Sequence, residues 1–554
     1  MTRPSFVLTN REVGAPDLTE AEVLDALAAA PSPATVFSLA KLSQWHAANM
    51  HQDLAALLKE ESVFTTDATF AAIKAACAKD TYRTTFRYSA ILAAIRAVIA
   101  RGRASPSLDP AVPDVERVGD SLLQLNRLVG GDNTHVLVAP PEQVRKEWLG
   151  EMVVCMQEHP PTPTFVSWAI GALVFRSLVG HPALAAMDLL LTQRRLPSLA
   201  RMFGGLTIWF GYSAQSERHP HLWRLTELQR LGPLERAAAF IARRLSVRRR
   251  DGEGLVTNWL GSPTASRMVD RPFFCFRGTA VVADPFTLAE IASVRFGQFA
   301  KSLVSGAKGT PEAAVTGAWQ RLWATDGFET FIRQNLGAVA SGCDQPPSVP
   351  GFKPCDAVAR FGRHVLFVEA KLMFPRQADL QVRDRLAVVD ALVERYGQPK
   401  KKGICQTLST MKWAISNRAA FPNSNPNGDD RWWSVVVSAE QVPMTREWRD
   451  EWRRLALAMD DRPKVHQFHG TVFLNLHEFC WLIEGARQGK AVGDLLAAFL
   501  AGNDISFGNF AARAIGRGIP NWLDASVKDS MAWLTEEIAR SAKSRRPRGG
   551  RSTK

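Results

Sequence analysis

Three observations predict a multidomain α/β protein with a mostly helical N-terminal half, a mixed helix-and-strand core near residues 311–440 and a helical C-terminal extension. The first is length: 554 residues set a prior of two to four domains. The second is composition, 46% hydrophobic and 22% charged, the balance of a chain that folds around cores. The third is a change of period. Helical spacing dominates the first 250 positions, whereas short β-branched and aromatic runs bounded by Gly and Pro appear past the middle.

Residues 1–250 are expected to form a helical domain. Thr19-Glu20-Ala21-Glu22 has the form of a capped helix start. Ala-rich segments of helical spacing recur at Val23–Ala30, Leu54–Leu58, Phe70–Cys77 and Ile91–Ile99. A β-like element is placed at His135–Ala139, and two apolar helices at Phe165–Val179 and Pro182–Leu191. The segment holds no fixed-period repeat and no catalytic constellation. Its expected work is to bind a partner or target, or to hold a neighbouring domain inactive. It closes on Arg243, Arg244, Arg248, Arg249 and Arg250, followed by Asp251-Gly252-Glu253-Gly254. Such a run is either a phosphate-contacting patch or a solvated helix end favoured by the helix dipole. Residues 251–310 read as a connector with a strand pair at Phe273–Val282.

The core begins with a helix over Pro311–Leu336, marked by Val315, Trp319, Leu322, Trp323, Phe328, Phe331, Ile332 and Leu336 and stopped at Gly337. The turn Pro346-Pro347-Ser348-Val349-Pro350-Gly351 cannot be helix interior and suits a strand entry. Two strand-like runs, Ala357–Phe361 and Val365–Val368, then flank Gly362 and predict a hairpin. In an extended chain Glu369 and Lys371 share a face, and pairing of the two runs brings Asp356 beside them. Glu369-Ala370-Lys371 is the sole acid-x-Lys triplet in the sequence, and its location rather than its occurrence gives it weight. Two carboxylates and a lysine at one sheet edge make a hard-cation site with a charged group beside its water, which is equipment for cutting a phosphodiester. The plainer reading is a hairpin ending in a surface ion pair. A helix over Leu380–Tyr396 follows. Lys401-Lys402-Gly403-Ile404-Cys405-Gln406 then leads into an apolar helix through Leu408, Met411, Trp413 and Ile415, and a strand follows at Trp432–Ala439.

This order of elements resembles the αβββαβ core of the PD-(D/E)xK, or restriction-endonuclease-like, nuclease superfamily. Gly327-Phe328-Glu329 followed by Asn335-Leu336-Gly337 is similar to the first helix of the methylation-directed restriction nucleases. The resemblance covers about a quarter of the chain, and the helix at Leu380–Tyr396 is an insertion relative to the shortest members. It implies a metal-dependent deoxyribonuclease. Asp356 and Glu369 would hold Mg²⁺, or Mn²⁺ in its place, with the Ala370 carbonyl completing the site. Lys371 would position the attacking water, with Glu329 and Gln406 at the edge of the site. A nuclease fused to a large helical module is similar to bacterial anti-phage effectors, which implies DNA as substrate and other defence proteins as partners of the N-terminal half. RNA cleavage by the same chemistry, and a non-catalytic nucleic-acid-binding or scaffold role in a multi-protein complex, are the alternatives.

After the core, a helix is predicted over Glu447–Met459, a strand over Gly470–Leu476 and a helix from His477-Glu478. A terminal helical piece spans Val492–Ala539, in which Trp522 and Trp533 read as packing residues. Residues 441–539 thus form a mainly helical extension, and 540–554 a disordered basic tail. The tail carries seven basic residues and no acid, half of the net charge of +14, so the rest of the chain is only mildly basic. Arg545 and Arg546 of the tail, Arg248, Arg249 and Arg250, and Lys401 and Lys402 are the candidates for contacting nucleic-acid phosphate.

Several classes are set aside. Seven cysteines without Cys-x-x-Cys spacing argue against a disulfide scaffold and a structural zinc site. Gly485–Ala491 falls one residue short of a phosphate-binding loop and lacks its Ser/Thr. His219, His221, His466, His469 and His477 have no acidic or Cys ligands at supportive spacing. The best apolar run, Phe165–Val179, is short for a membrane and carries Arg176, and Met1-Thr2-Arg3-Pro4 is not the start of a secretory signal. A cytoplasmic protein is the expectation.

Overall fold

A computed structural model describes residues 10–11, 13–49, 66–79, 86, 88–105, 112–130, 149–150, 164–214, 223–247, 271–304, 306, 309–348, 353–371, 385–397, 403–439, 442–458 and 467–543. The chain is mixed α/β. Its residues gather into two units. One comprises the described residues within Met1–Val144 and Arg201–Ile291, the other those within Arg145–Ala200, Ala292–Asp379 and Asp384–Lys554. These units cut across the expected boundaries at 250, 310 and 440. Residues 145–200 belong with the site-bearing unit, 201–250 do not, and the expected connector is divided at Ile291.

In the first unit the capped start is present as drawn from the sequence. Glu22 N–H donates to Thr19 Oγ1 at 3.3 Å and Thr19 N–H to Glu22 Oε2 at 2.7 Å, opening a helix over Glu20–Ala28. Helices Ala34–Asn49, Tyr88–Arg101 and Val112–Gly130 pack with it around Val23, Leu27, Phe37, Leu92, Ile95 and Leu122. A helix over Asp67–Lys79 accounts for Phe70–Cys77. The expected elements Leu54–Leu58 and His135–Ala139 lie outside the described residues.

The strand pair falls at Phe273–Phe276 and Thr279–Val282, joined by Arg277-Gly278, both at positive φ (47° and 80°) as a two-residue turn of this kind requires. It is built into the first unit rather than serving as a connector. Gln44 Nε2 donates to Val282 O and Ser43 Oγ to Ala283 O, both at 2.7 Å, so buried side chains of one helix tie down the end of the hairpin.

The second unit carries a five-stranded sheet. A helix over Pro311–Arg321 runs into a single π-helical stretch at Leu322–Gly327 and then into α1 (Phe328–Gly337). The 3.6-residue pattern predicted one uninterrupted helix. The extra residue per turn re-phases the chain just before Glu329, and π-turns recur at functional sites.

Strands β1 (Gly342–Asp344), β2 (Ala357–Phe361) and β3 (His364–Lys371) form an antiparallel meander. Gly362, first of the two turn residues between Phe361 and His364, has φ +61°. α2 (Arg385–Gly397) and α3 (Ile404–Ser416) follow, and β4 (Arg431–Ser438) then pairs parallel to β3. α4 (Arg446–Ala458) returns the chain to β5 (Phe468–Asn475), which adds to the edge of β4, again parallel, before α5 (Leu476–Arg487). The spatial order is β5-β4-β3-β2-β1. β3 is buried from Val365 to Glu369 and β4 from Trp432 to Ser438, as interior strands covered on both faces are.

The C-terminal segment is therefore not a separate extension, since its strand completes the sheet. The last three helices are Val492–Ala501, Phe507–Ala514 and Asn521–Lys543. The final helix runs past the expected start of a disordered tail at Arg540 by three residues. Among the described residues no single helix is long and apolar enough to cross a membrane.

α3 begins at a constrained point. Gly403 has φ +56°, and a Cβ there would lie 2.7 Å from the Tyr396 carbonyl oxygen. Gly403→Ala is expected to destabilise the unit by about 1–3 kcal/mol, from positive φ and a backbone clash together. A lowered midpoint in thermal or urea unfolding checks this, and an unchanged midpoint would refute the strain.

Candidate active site

The hairpin register brings the two acids together. Ala357 pairs with Val368 and Asp356 N–H donates to Val368 O at 2.9 Å, so Asp356 lies opposite Glu369, and cross-strand partners share a face. Asp356 Oδ2 accepts the Ala370 amide at 2.7 Å. Lys371 Nζ donates to Glu369 Oε1 and, at 2.6 Å, to Gln406 Oε1. Gln406 sits in the first turn of α3 and is 2% exposed. Thr407 and Ser434, whose hydroxyls lie 2.5 Å apart, hold α3 against β4 on the face that β3 shares through Phe367, Glu369 and Lys371.

Helix α3 also fixes the strand leading to Asp356. Cys355 N–H donates to Thr410 Oγ1 at 2.8 Å, Thr410 Oγ1 donates to Gln406 O at 2.7 Å, and Gln406 Nε2 reaches Pro354 O at 3.5 Å. One helix thereby orders both the lysine and the first acid.

The acids are held where their charge is costly. Glu369 is 0% exposed, and its Oε2 accepts no hydrogen bond among the described residues. Burial first, and the Asp356 charge second, push its pKa up to about 8, against the pull of Lys371 and Lys353. Burial likewise raises Asp356, opposed by the Ala370 amide, Lys353 and Lys371. Glu329, from α1, stands in the same field: burial and then Asp356 raise it to about 7. A cluster of carboxylates with displaced pKa values and an orphaned buried oxygen is what a cation would relieve.

Among the described residues, no group of three or more His, Cys, Asp and Glu side chains is closed into a metal cage. The donor set suits an open site instead: two carboxylates, with water and substrate phosphate filling the other positions, as Mg²⁺ is commonly bound. Asp356 and Glu369 would hold the ion, with Glu369 Oε2 the oxygen that lacks a partner. The Ala370 amide is already committed to Asp356.

Asp356, Glu369, Lys371, Gln406 and Glu329 thus stand in one neighbourhood. Arg248, Arg249, Arg250, Lys401, Lys402, Arg545 and Arg546 lie outside the described residues. Lys353 was missed by the sequence reading. It is exposed, and although partial desolvation works against its charge, Glu369, Asp356 and Glu329 outweigh that and raise its pKa. The available signal was a lysine three residues before the acid, on a segment that Pro354 holds extended.

Comparison with known protein families, curated proteins and solved structures found no match to this chain.

Proposed function

We propose that this protein is a metal-dependent endonuclease that hydrolyses DNA phosphodiester bonds. The observation that carries the proposal is the pairing of Asp356 opposite Glu369 with Lys371 bonded to both Glu369 and Gln406. A surface ion pair at a hairpin end would not need 0% exposure of its acid, nor a buried glutamine to hold the lysine. The order α1, three antiparallel strands, α3 and a parallel β4 further supports a restriction-endonuclease-like core.

When bound, a divalent ion supplies positive charge to the phosphate and acidifies its water. The residues do the rest. Asp356 and Glu369 present their carboxylates on one face, fixed by the register and by the Ala370 amide. Gln406 accepts from Lys371 and so points its ammonium, which stabilises charge on the phosphate and orients the attacking water. The sheet and α3 keep bulk water from the Glu369 side.

The test is incubation of the purified protein with plasmid, linear DNA and RNA, with and without Mg²⁺ or Mn²⁺. The expected result is metal-dependent scission of DNA, inside circular as well as linear molecules. Cleavage of RNA alone would reassign the substrate, and no cleavage of any nucleic acid under either ion would overturn the proposal.

A further inference from the structure

Thr410 stands where the acid-bearing strand and the lysine-holding helix of the site meet. It lies one turn along α3 from Gln406 and is buried. Its hydroxyl carries a single proton, which goes back to Gln406 O at 2.7 Å. That bond and the β-branched side chain fix the torsion, leaving an oxygen lone pair aimed off the helix. The lone pair receives the Cys355 amide at 2.8 Å.

The acceptor matters because the ladder between β2 and β3 runs out here. β2 pairs with β3 from Ala357 onward, and Asp356 N–H extends the pairing by one bond, to Val368 O. Cys355, the residue before, is buried, so bulk water does not serve its amide. Among the described residues Thr410 is the acceptor that amide finds. Pro354, one further back, has no amide proton to give. Asp356 is thereby held from two sides, by β3 at its own amide and by α3 at the amide before it. The same turn of α3 carries Gln406, which receives Lys371.

Resting on the nuclease reading above, we infer that Thr410 is a positioning residue, whose hydroxyl sets the spacing between the Asp356 carboxylate and the Lys371 ammonium that Gln406 holds. It touches neither ion nor substrate. Without the hydroxyl, the segment leading to Asp356 and α3 can shift against each other, while Glu369 keeps its place inside β3. The ion then meets two carboxylates out of register, and the lysine no longer faces the water it should orient. A misplacement of about 1 Å is enough to slow such a reaction by up to ~100-fold.

Thr410→Val, made in the full chain, keeps the shape and removes both bonds, whereas Thr410→Ser keeps the hydroxyl. One readout is kcat and KM for duplex DNA at saturating Mg²⁺, well below the melting temperature. The other needs no turnover: the Mg²⁺ concentration at the midpoint of the ion-induced rise in melting temperature. For Thr410→Val, kcat is expected to fall by about 10- to 100-fold with KM changed by less than about threefold. Its Mg²⁺ midpoint should rise several-fold. Thr410→Ser should stay near the parent in both. In a Gln406→Ala background, where α3 no longer holds the lysine, Thr410→Val should lower kcat by less than about threefold.

A threonine that only supported the fold would lower the melting temperature and leave kcat and the Mg²⁺ midpoint unchanged. That result, or an equal loss of kcat with and without Gln406, or a Thr410→Ser as slow as Thr410→Val, would overturn the inference while leaving an active parent nuclease intact. A parent that neither binds Mg²⁺ nor cuts DNA would overturn the nuclease reading and this inference with it. Should Thr410→Val fail to fold, Thr410→Ala removes the same two bonds and carries the same measurements.

Discussion

Asp356→Asn, Glu369→Gln and Lys371→Met are each expected to slow DNA hydrolysis by about 1,000-fold or more, a loss of about 4 kcal/mol of transition-state stabilisation. The substitutions are near-isosteric and should leave the sheet intact. Asp356→Asn keeps an oxygen for the Ala370 amide but removes the charge that an ion needs. Glu369→Gln replaces a buried carboxyl whose pKa already stands at about 8 and keeps an amide oxygen that can accept from Lys371, so the ion-free protein should tolerate the change. Lys371→Met leaves the Glu369 and Gln406 oxygens without their donor. The three act as one unit, so a double variant should be little worse than either single one. Single-turnover cleavage of a defined duplex at saturating Mg²⁺ checks all of this. If the three variants cut at the parental rate while remaining folded, the chemistry is elsewhere in the molecule.

What the sequence made legible follows from the range of the interactions involved. The triplet Glu369-Ala370-Lys371 and the Gly362 turn are local, and a hairpin of fixed register needs nothing beyond them to set Asp356 opposite Glu369. The capping boxes at Thr19 and Asn475 are local too; the second, with Glu478, marks the start of α5 near where it was expected.

Gln406 was suggested only by the resemblance, because its arrival beside Lys371 depends on the kinked entry at Gly403 and on how α3 docks across β3 and β4. Lys353 left only a weak signal, since a lysine three residues upstream of an acid is unremarkable until the strand leading to that acid is pinned by Thr410. Unit boundaries were least legible. The helix Thr164–Ser177 shares its unit with the C-terminal helix Asn521–Lys543, a pairing over hundreds of residues that no local period encodes. β5 likewise read as part of an extension, because parallel pairing to β4 leaves no turn signal between the partners.

Mg²⁺ is expected to stabilise this protein, and to do so more strongly as pH rises from about 6 to about 8. In the folded, ion-free protein Glu369 titrates near 8 and Glu329 near 7, both raised from 4.5. For groups raised in the folded state, the stability they contribute is fully present below the unfolded value and is lost as pH rises through the folded value. The ion-free protein should therefore weaken between about pH 4.5 and pH 8 as these buried acids are forced to ionise. An ion held by Asp356 and Glu369 favours the ionised forms and displaces the proton, so its affinity should climb by up to about tenfold per pH unit in that range for each proton released. Because binding to the folded state alone raises the melting temperature, the increment from a few millimolar Mg²⁺ should be small at pH 6 and several degrees at pH 8. Glu369→Gln should abolish that increment and also flatten the pH dependence of the ion-free protein, since it removes the buried carboxyl that burial and Asp356 hold at about 8. Thermal melting across pH, with Mg²⁺ and with chelator, measures both effects at once. A Mg²⁺ increment independent of pH, or one that Glu369→Gln leaves untouched, would place the ion away from this pair of carboxylates.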